Sequence, residues 1–373
     1  MVDRGMNIVS VTDNNYAQHL GVMLTSMFEH ASHPDAIVVY ILSDGLDQTN
    51  KQKLNDIVTN YGASIHFVTV DSTAFSSFGL RRKMSKAVYY KIAIPDMLGG
   101  KIKKCIFLDC DLVFKDDIEK LWNVDVTDCA LAAVKEPGFN RHAELQLSQE
   151  TNYFNSGVMV INLERWVEKK VSQRVISFLN ERSHSITLHD QDAFNVVLQK
   201  DWKELEPRWN QWSLSTEKDL DHKLSHEGLS IIHYAHTKPW YFLCDHPLRG
   251  EYLYYLQKTD WKDFVPPDKS IALKFFKRKV IVVYGTGSAG ERVYNFLKEH
   301  QVEVDYFVDS NQAKWNQLYH DKEIKSPQEL LKEDKEAVGI FVASYSFYDE
   351  MAYLLTELGF AEMKHFIAGL GRR

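Results

Sequence analysis

Three aspartate pairs with one residue between them, Asp109/Asp111, Asp190/Asp192 and Asp219/Asp221, are the groups in this chain suited to holding a hard cation. The pattern does not choose among them, but position does. Asp109-Cys110-Asp111 follows directly on the apolar run Cys105–Leu108, at the expected carboxyl end of a strand. Residues two apart in extended chain face the same way, so the two carboxylates can share one ion. The plain alternative is a strand end with solvated acids. Another apolar run, starting at Leu229, ends in His233, with Lys238-Pro239-Trp240 close behind. Two carboxylates and one imidazole leave open positions on Mn²⁺ or Mg²⁺ for phosphate oxygens. A lysine nearby adds positive charge to the same anion. Far along the chain, Gly285-Thr286-Gly287-Ser288-Ala289-Gly290 follows an apolar run, and Asp309 ends the next one. That is where a glycine loop meets a phosphate and an acid meets a ribose.

The positions of these groups require strands that end at one edge. Ile8–Val11, Ile37–Leu42, Ser64–Val70, Cys105–Leu108 and Val158–Ile161 read as buried strands. Tyr16–His30, Thr49–Tyr61 and Val88–Leu98 carry helical spacing between them. Strand and helix in alternation predict an α/β fold, a mostly parallel sheet flanked by helices, with ligands at the carboxyl ends of its strands. Val265-Pro266-Pro267-Asp268 interrupts regular structure, and a fresh strand–turn–helix rhythm starts after Lys279. The chain therefore divides into residues 1–268 and a smaller α/β domain over 279–373. In the latter, Val280–Tyr284, Val302–Asp309, Gly339–Ala343 and Lys364–Ile367 read as strands. Ser326-Pro327-Gln328-Glu329 reads as a capping box.

A chain of 373 residues with 45% hydrophobic and 25% charged residues can bury a sizeable core. Its net charge of −7 argues against nucleic acid as a partner. Four cysteines without metal-type spacing fit a reduced, cytoplasmic compartment. No apolar run approaches the ~18 residues of a membrane span. Asn7, Ser10 and Asp13 break the opening stretch, which predicts no signal peptide.

Five stretches, Val9–Tyr16, Ala87–Pro95, Ile106–Val113, Tyr153–Leu163 and His189–Asn195, resemble in order those of the family 8 glycosyltransferases, and His233–Trp240 closes the set. The resemblance covers roughly residues 6–260, about two-thirds of the chain. It implies a GT-A fold, a UDP-hexose donor, Mn²⁺ and transfer with retention. Carried over by position, it implies Asp109, Asp111 and His233 as metal ligands, and Asp13 and Asn15 on uracil and ribose. It further implies Lys91 near the donor, Asn155 and Asp190 on the transferred sugar, Gln191 under its anomeric carbon, and Lys238 on the diphosphate. The chain departs from the family in two places. Lys238 stands five residues after His233 rather than six, with no glycine between, and Asp13-Asn14 replaces a common Asp-Asp pair. Without the resemblance, Asp13 and Asp190 are also readable as helix caps, and Asn155 as a turn residue before a strand.

These readings predict a hexosyltransferase that moves galactose or glucose to a bacterial-type glycan, including a lipid-linked one. The aromatic and basic stretch Trp240–Lys279 is suited either to packing or to peripheral contact with the inner face of a membrane. Within 279–373, Gly285, Gly287, Gly290 and Asp309 form a candidate nucleotide loop. The rivals are a protein acceptor on the same fold, a sugar-phosphate nucleotidyltransferase, a redox enzyme built on Gly285–Gly290, and a non-catalytic binding protein. The nucleotidyltransferase lacks its usual basic glycine-rich loop at Val9–Tyr16. The redox reading leaves most of the chain unexplained.

Overall fold

The computed structural model describes residues 5–71, 73, 86–182, 188–212, 228–235, 238–240, 244, 246–264, 269–344 and 347–369. Asp219, Asp221, His236 and the Pro266-Pro267 interruption lie outside the described residues. The chain separates into two compact units, one of residues 1–236 and 246–263, the other of 237–245 and 264–373.

The first unit is built on a seven-stranded mixed sheet, in the order β3-β2-β1-β4-β7-β6-β8. The strands are β1 Met6–Val11, β2 Ile37–Ser43, β3 Ser64–Thr69, β4 Lys104–Leu108, β6 Leu131–Lys135, β7 Phe154–Asn162 and β8 Trp202–Leu205. A two-stranded piece, β5 Leu112–Phe114 with β9 Ile231–His233, stands apart from it. Strands β3, β2, β1 and β4 run parallel, and β7 is antiparallel to both of its neighbours. Alternation along each strand supplies two cores, as a sheet covered on both faces requires. Ile8, Ile106, Leu108, Val158 and Val160 face the helices Ala17–His30 and Gln48–Asn60. Val9, Cys105, Phe107, Met159 and Ile161 face Tyr89–Leu98 and the helices Val171–Arg182 and His189–Val197.

The segment read as one helix over Val88–Leu98 is instead a 3₁₀ turn, Lys86–Ala93, followed by a short α-helix, Ile94–Leu98. Pro95 is the reason: it has no N–H to donate to the carbonyl four residues back, so no continuous α-helix crosses it, and the short helix begins with proline in its first turn.

The second unit holds a six-stranded sheet, β12-β13-β11-β10-β14-β15, parallel except for the β12–β13 hairpin. Its strands are β10 Val280–Tyr284, β11 Tyr306–Val308, β12 Leu318–Tyr319, β13 Lys322–Lys325, β14 Val338–Val342 and β15 Phe366–Ala368. Two more strands are present than the four the sequence suggests. β12 and β13 are short and polar, and their signal is a two-residue turn with His320 and Asp321 both left-handed, at φ 50° and 59°. The strand expected over 302–309 shrinks to Tyr306–Val308. At Asp305 the backbone N–H still donates to the Ile281 carbonyl at 2.9 Å, but the Ile281 N–H is taken by the Asp305 carboxylate at 2.7 Å. Ser326 makes no side-chain cap to the 3₁₀ helix Pro327–Lys332, and Glu329 pairs with Lys332 instead. The capping-box reading is therefore not realised.

Candidate active site

Register assembles the site. Parallel pairing of β1 with β4 brings Asp13 and Asp109 to the same edge of the sheet. Asp109 continues β4 by donating its N–H to the Gly157 carbonyl at 2.9 Å. Residues 110 and 111 then bend into β5, so the acids converge across a bend and not along extended chain. Cys110 turns inward and its thiol donates to the Val11 carbonyl at 3.0 Å. In the β5–β9 pair, Leu112 lies opposite His233, which places the imidazole beside Asp111. His233 Nε2 is 3.4 Å from Asp111 Oδ1 and 4.0 Å from Asp109 Oδ2. Among the described residues, one group of acids and imidazoles offers metal-ligand atoms all within 4.8 Å of each other, and it is Asp109, Asp111 and His233.

Lys91 reaches the same acids. Its Nζ is 2.7 Å from Asp190 Oδ2 and 3.8 Å from Asp109 Oδ1, and it donates to Ser156 Oγ at 3.2 Å. Burial lowers the affinity of this lysine for its proton, but Asp109, Asp190 and Asp111 outweigh burial and hold its pKa above the ordinary value. Burial, opposed by Lys91 and reinforced by Asp111, raises the Asp109 carboxyl. Three carboxylates against one ammonium leave an uncompensated negative charge in a buried place. A divalent cation bound there would offset that charge.

The helix His189–Val197 carries Asp190, Gln191 and Asp192 in its first turn. Asp192, not Asp190, satisfies its first turn, accepting the Leu188 N–H at 2.8 Å. Asp192 also accepts the Tyr153 hydroxyl at 2.6 Å and pairs with Arg141. Asp190 is thereby left to Lys91. The amide of Gln191 is fixed at both ends. Its Oε1 accepts the Ser156 N–H at 3.0 Å, and its Nε2 donates to Glu136 at 2.9 Å. Burial raises the Glu136 carboxyl, against the hydrogen bond from Gln191. Asn155 lies inside β7 and not in a preceding turn. The strand starts one residue earlier because the Asn195 side chain bonds both the N–H and the carbonyl of Phe154.

Ahead of the helix Ala17–His30, whose N-cap position, Tyr16, makes no side-chain cap, Asp13 closes the turn. Its Oδ1 accepts the N–H groups of Asn15 and Tyr16, both at 3.0 Å. Asn15 is exposed next to it. Asn14, where an aspartate is common, donates to Gly45 O at 3.0 Å and accepts the Asp47 N–H at 2.9 Å, tying the ends of β1 and β2 together. Lys238 is half-buried, in the segment 237–245 that groups with the second unit.

Two site residues escape the sequence reading. Gly157 makes room for the triad: a Cβ there would lie 2.5 Å from His233 Cε1 and 2.9 Å from Asp109 Oδ2. A lone glycine inside an apolar strand is the available signal. Asn210 lies with its Oδ1 2.8 Å from His233 Nδ1, and no sequence signal marks it.

In the second unit, Gly285 is left-handed at φ 114°. A Cβ on Gly290 would lie 2.2 Å from Gly285 O, so the loop closes tightly on the helix Ser288–Glu299. Gly287 borders open space. Asp309 serves the loop itself. Its Oδ2 accepts the Thr286 N–H and hydroxyl and the Lys314 ammonium, and its Oδ1 accepts the Asn311 N–H.

The fold is shared with a solved galactosyltransferase, LgtC, crystallised with donor and acceptor sugar analogues. The match has a TM-score of 0.61 and 21% identity, over 72% of this chain and all of that one. Residues 7–244 match the sequence model of glycosyl transferase family 8, and the chain belongs to that family. Residues 276–366 match a second model, C2185-like, N-terminal. General stress protein A of Bacillus subtilis (strain 168) is 35% identical over 71% of this chain and 98% of its own length. A lipopolysaccharide 1,2-glucosyltransferase of Escherichia coli (strain K12) is 27% identical over 73% and 84%. Among the described residues no helix is long and apolar enough to cross a membrane.

Proposed function

We propose that this protein is a metal-dependent, retaining hexosyltransferase, taking glucose or galactose from a UDP-sugar to a hydroxyl of a lipopolysaccharide- or capsule-type glycan. The observation that carries the reading is the convergence of Asp109, Asp111 and His233 next to the Lys91–Asp190 pair, on a family 8 chain. Relatives named for glucosyl and galactosyl transfer to lipopolysaccharide support the choice of sugar and acceptor. Two carboxylates and one imidazole form a donor set for Mn²⁺ or Mg²⁺. A cation bound there supplies Lewis-acid stabilisation of the charge on a departing diphosphate.

In this reading Asp13 and Asn15 meet the uridine, Lys238 the diphosphate, and Asn155 and Asp190 the sugar. Asp13 has only one carboxylate oxygen committed to the backbone by the bonds to Asn15 and Tyr16. Lys91 holds the Asp190 carboxylate in place as an acceptor for sugar hydroxyls. Gln191 is a poor nucleophile twice over: it is a neutral amide, and its oxygen is held by Ser156. Same-face attack is therefore favoured. The acceptor oxygen bonds to the anomeric carbon as the carbon–phosphate oxygen bond breaks, and the acceptor proton passes to the leaving diphosphate. The first unit, in this reading, is the catalytic domain, acting at the cytoplasmic side, and residues 279–373 form a Rossmann-like module of nucleotide-binding type. NMR of the glycoside formed from an α-configured UDP-hexose tests the reaction. An α-linked product is expected, and a β-linked product overturns both mechanism and reading.

A further inference from the structure

The hydrogen bonds behind the acid–imidazole cluster have only one consistent direction. The Gly157 backbone N–H can only donate, and it lies 2.9 Å from an amide atom of Asn155, which must be Oδ1. The same Asn155 oxygen faces the Asn210 amide at 2.9 Å, so Asn210 presents its NH₂ there. The other end of the Asn210 amide, 2.8 Å from His233 Nδ1, is then its oxygen, which can only accept. Nδ1 must carry the imidazole proton. In the neutral ring, Nε2, on the side of Asp109 and Asp111, is then the nitrogen with the lone pair. All three side chains are buried, His233 at 3%, Asn210 at 1% and Asn155 at 8% exposure, so water does not compete for these bonds. The chain extends further. Asn155 and Gln191 both hydrogen-bond the Glu136 carboxylate. A continuous polar path thus leads from the imidazole to the amide expected beneath the sugar.

We infer that Asn210 is a positioning residue: it locks His233 in the Nδ1–H tautomer so that Nε2 is the ligand atom, and it ties that choice to Asn155 on the sugar side. The inference rests on reading the cluster as a metal site. Second-shell groups of this kind typically change metal affinity by about 10–100-fold. Asn210 comes just after the 3₁₀ turn Pro207–Trp209, and Gln211 bonds the backbone of β9 on both sides, at 3.0 Å to the Ile231 carbonyl and 2.9 Å to the His233 N–H. The backbone therefore holds Asn210 beside β9 independently of its side chain.

The test uses the full chain with ¹⁵N-labelled histidine, the His233 signals being identified by their loss in His233→Gln. Long-range ¹H–¹⁵N spectra of the metal-free wild type, recorded at a pH high enough for the ring to be neutral, are expected to show Nδ1 protonated and Nε2 bare. Asn210→Ala is expected to lose that preference and to weaken Mn²⁺ binding, measured by electron paramagnetic resonance, by about 10–100-fold. Asn210→Asp keeps an acceptor for Nδ1–H but loses the donor to Asn155. It is expected to hold Mn²⁺ within about threefold of wild type while raising KM for the donor more than it lowers kcat. A wild-type protein in the Nε2–H tautomer, or unchanged Mn²⁺ affinity in Asn210→Ala, overturns the inference, and the first measurement needs no variant to fold. Wild-type protein that binds no Mn²⁺ overturns the metal reading instead, whatever the tautomer.

Discussion

Replacing Gly157 with alanine puts a methyl group where the acid–imidazole cluster has no room for one. The new Cβ would stand 2.5 Å from His233 Cε1, 2.9 Å from Asp109 Oδ2 and 3.1 Å from Asn155 Oδ1. Against an ordinary carbon contact of about 3.5–4.0 Å, the imidazole must retreat by roughly 1 Å. It cannot do so cheaply. His233 is 3% exposed and bonded through Nδ1 to Asn210, and Asp109 is held by its N–H on the Gly157 carbonyl. Alanine in place of glycine within a strand would otherwise stabilise by about 0.5–1 kcal/mol, while overpacking costs about 1–3 kcal/mol. The net expectation is a loss of about 1–2 kcal/mol in the metal-free protein. The larger effect is on the cation. Separating ligand atoms that all lie within 4.8 Å of each other is expected to weaken Mn²⁺ by about 100-fold, the upper end of what outer-sphere changes do. Thermal melts with and without Mn²⁺ read this directly. At a concentration 100 times the wild-type Kd, the ion stabilises wild type by about 2.7 kcal/mol but a 100-fold weaker variant by only about 0.4 kcal/mol. A Gly157→Ala protein that folds and gains the full Mn²⁺ stabilisation would refute the reasoning.

Asp111→Ala is expected to abolish metal-dependent turnover with the far-UV circular dichroism spectrum unchanged; full activity in this variant contradicts the ligand assignment. Lys91→Met leaves the buried Asp190 without its ammonium, an expected loss of about 3–5 kcal/mol in urea unfolding, whereas Lys91→Arg retains most of the stability. Gln191→Ala is expected to lower kcat without eliminating turnover, because the residue only holds Ser156 and Glu136 in place; a near-total loss identifies it as a nucleophile. Burial pushes the Asp309 carboxyl up, but Thr286, Asn311 and Lys314 outweigh it and hold the pKa below the usual 3.8. The stability Asp309 contributes is therefore complete above pH 3.8 and is lost as pH falls through the lower folded value. Hydrogen exchange at β10 and β11 should accelerate there in wild type, and Asp309→Asn should show less of that pH dependence.

The residues that sequence makes legible are those at the ends of apolar runs. Asp109 follows β4 and His233 ends β9, but they meet Asp111 because the chain bends after Asp109 into β5, which pairs with β9. The family resemblance adds Lys91, Asp190 and Gln191, which spacing alone does not connect. What spacing cannot show is how a side chain is spent once neighbours arrive. Asp190 is readable as a cap, yet it is Asp192, packed against Arg141 and Tyr153, that accepts the Leu188 N–H. Asp309 ends its strand as a ribose-binding acid would, yet its carboxylate bonds back to the glycine loop. Asn210 is further from legibility still. Its partner His233 is 23 residues away, and the contact exists because Gln211 pairs with the backbone of β9.

Incubation with a panel of UDP-sugars and Mn²⁺, followed by measurement of UDP release, tests the central claim most directly. The account predicts that UDP-glucose or UDP-galactose is consumed, that excess chelator stops the release, and that Mn²⁺ restores it. Consumption of no UDP-sugar with an acceptor glycan present, or release undiminished in excess chelator, would contradict the account.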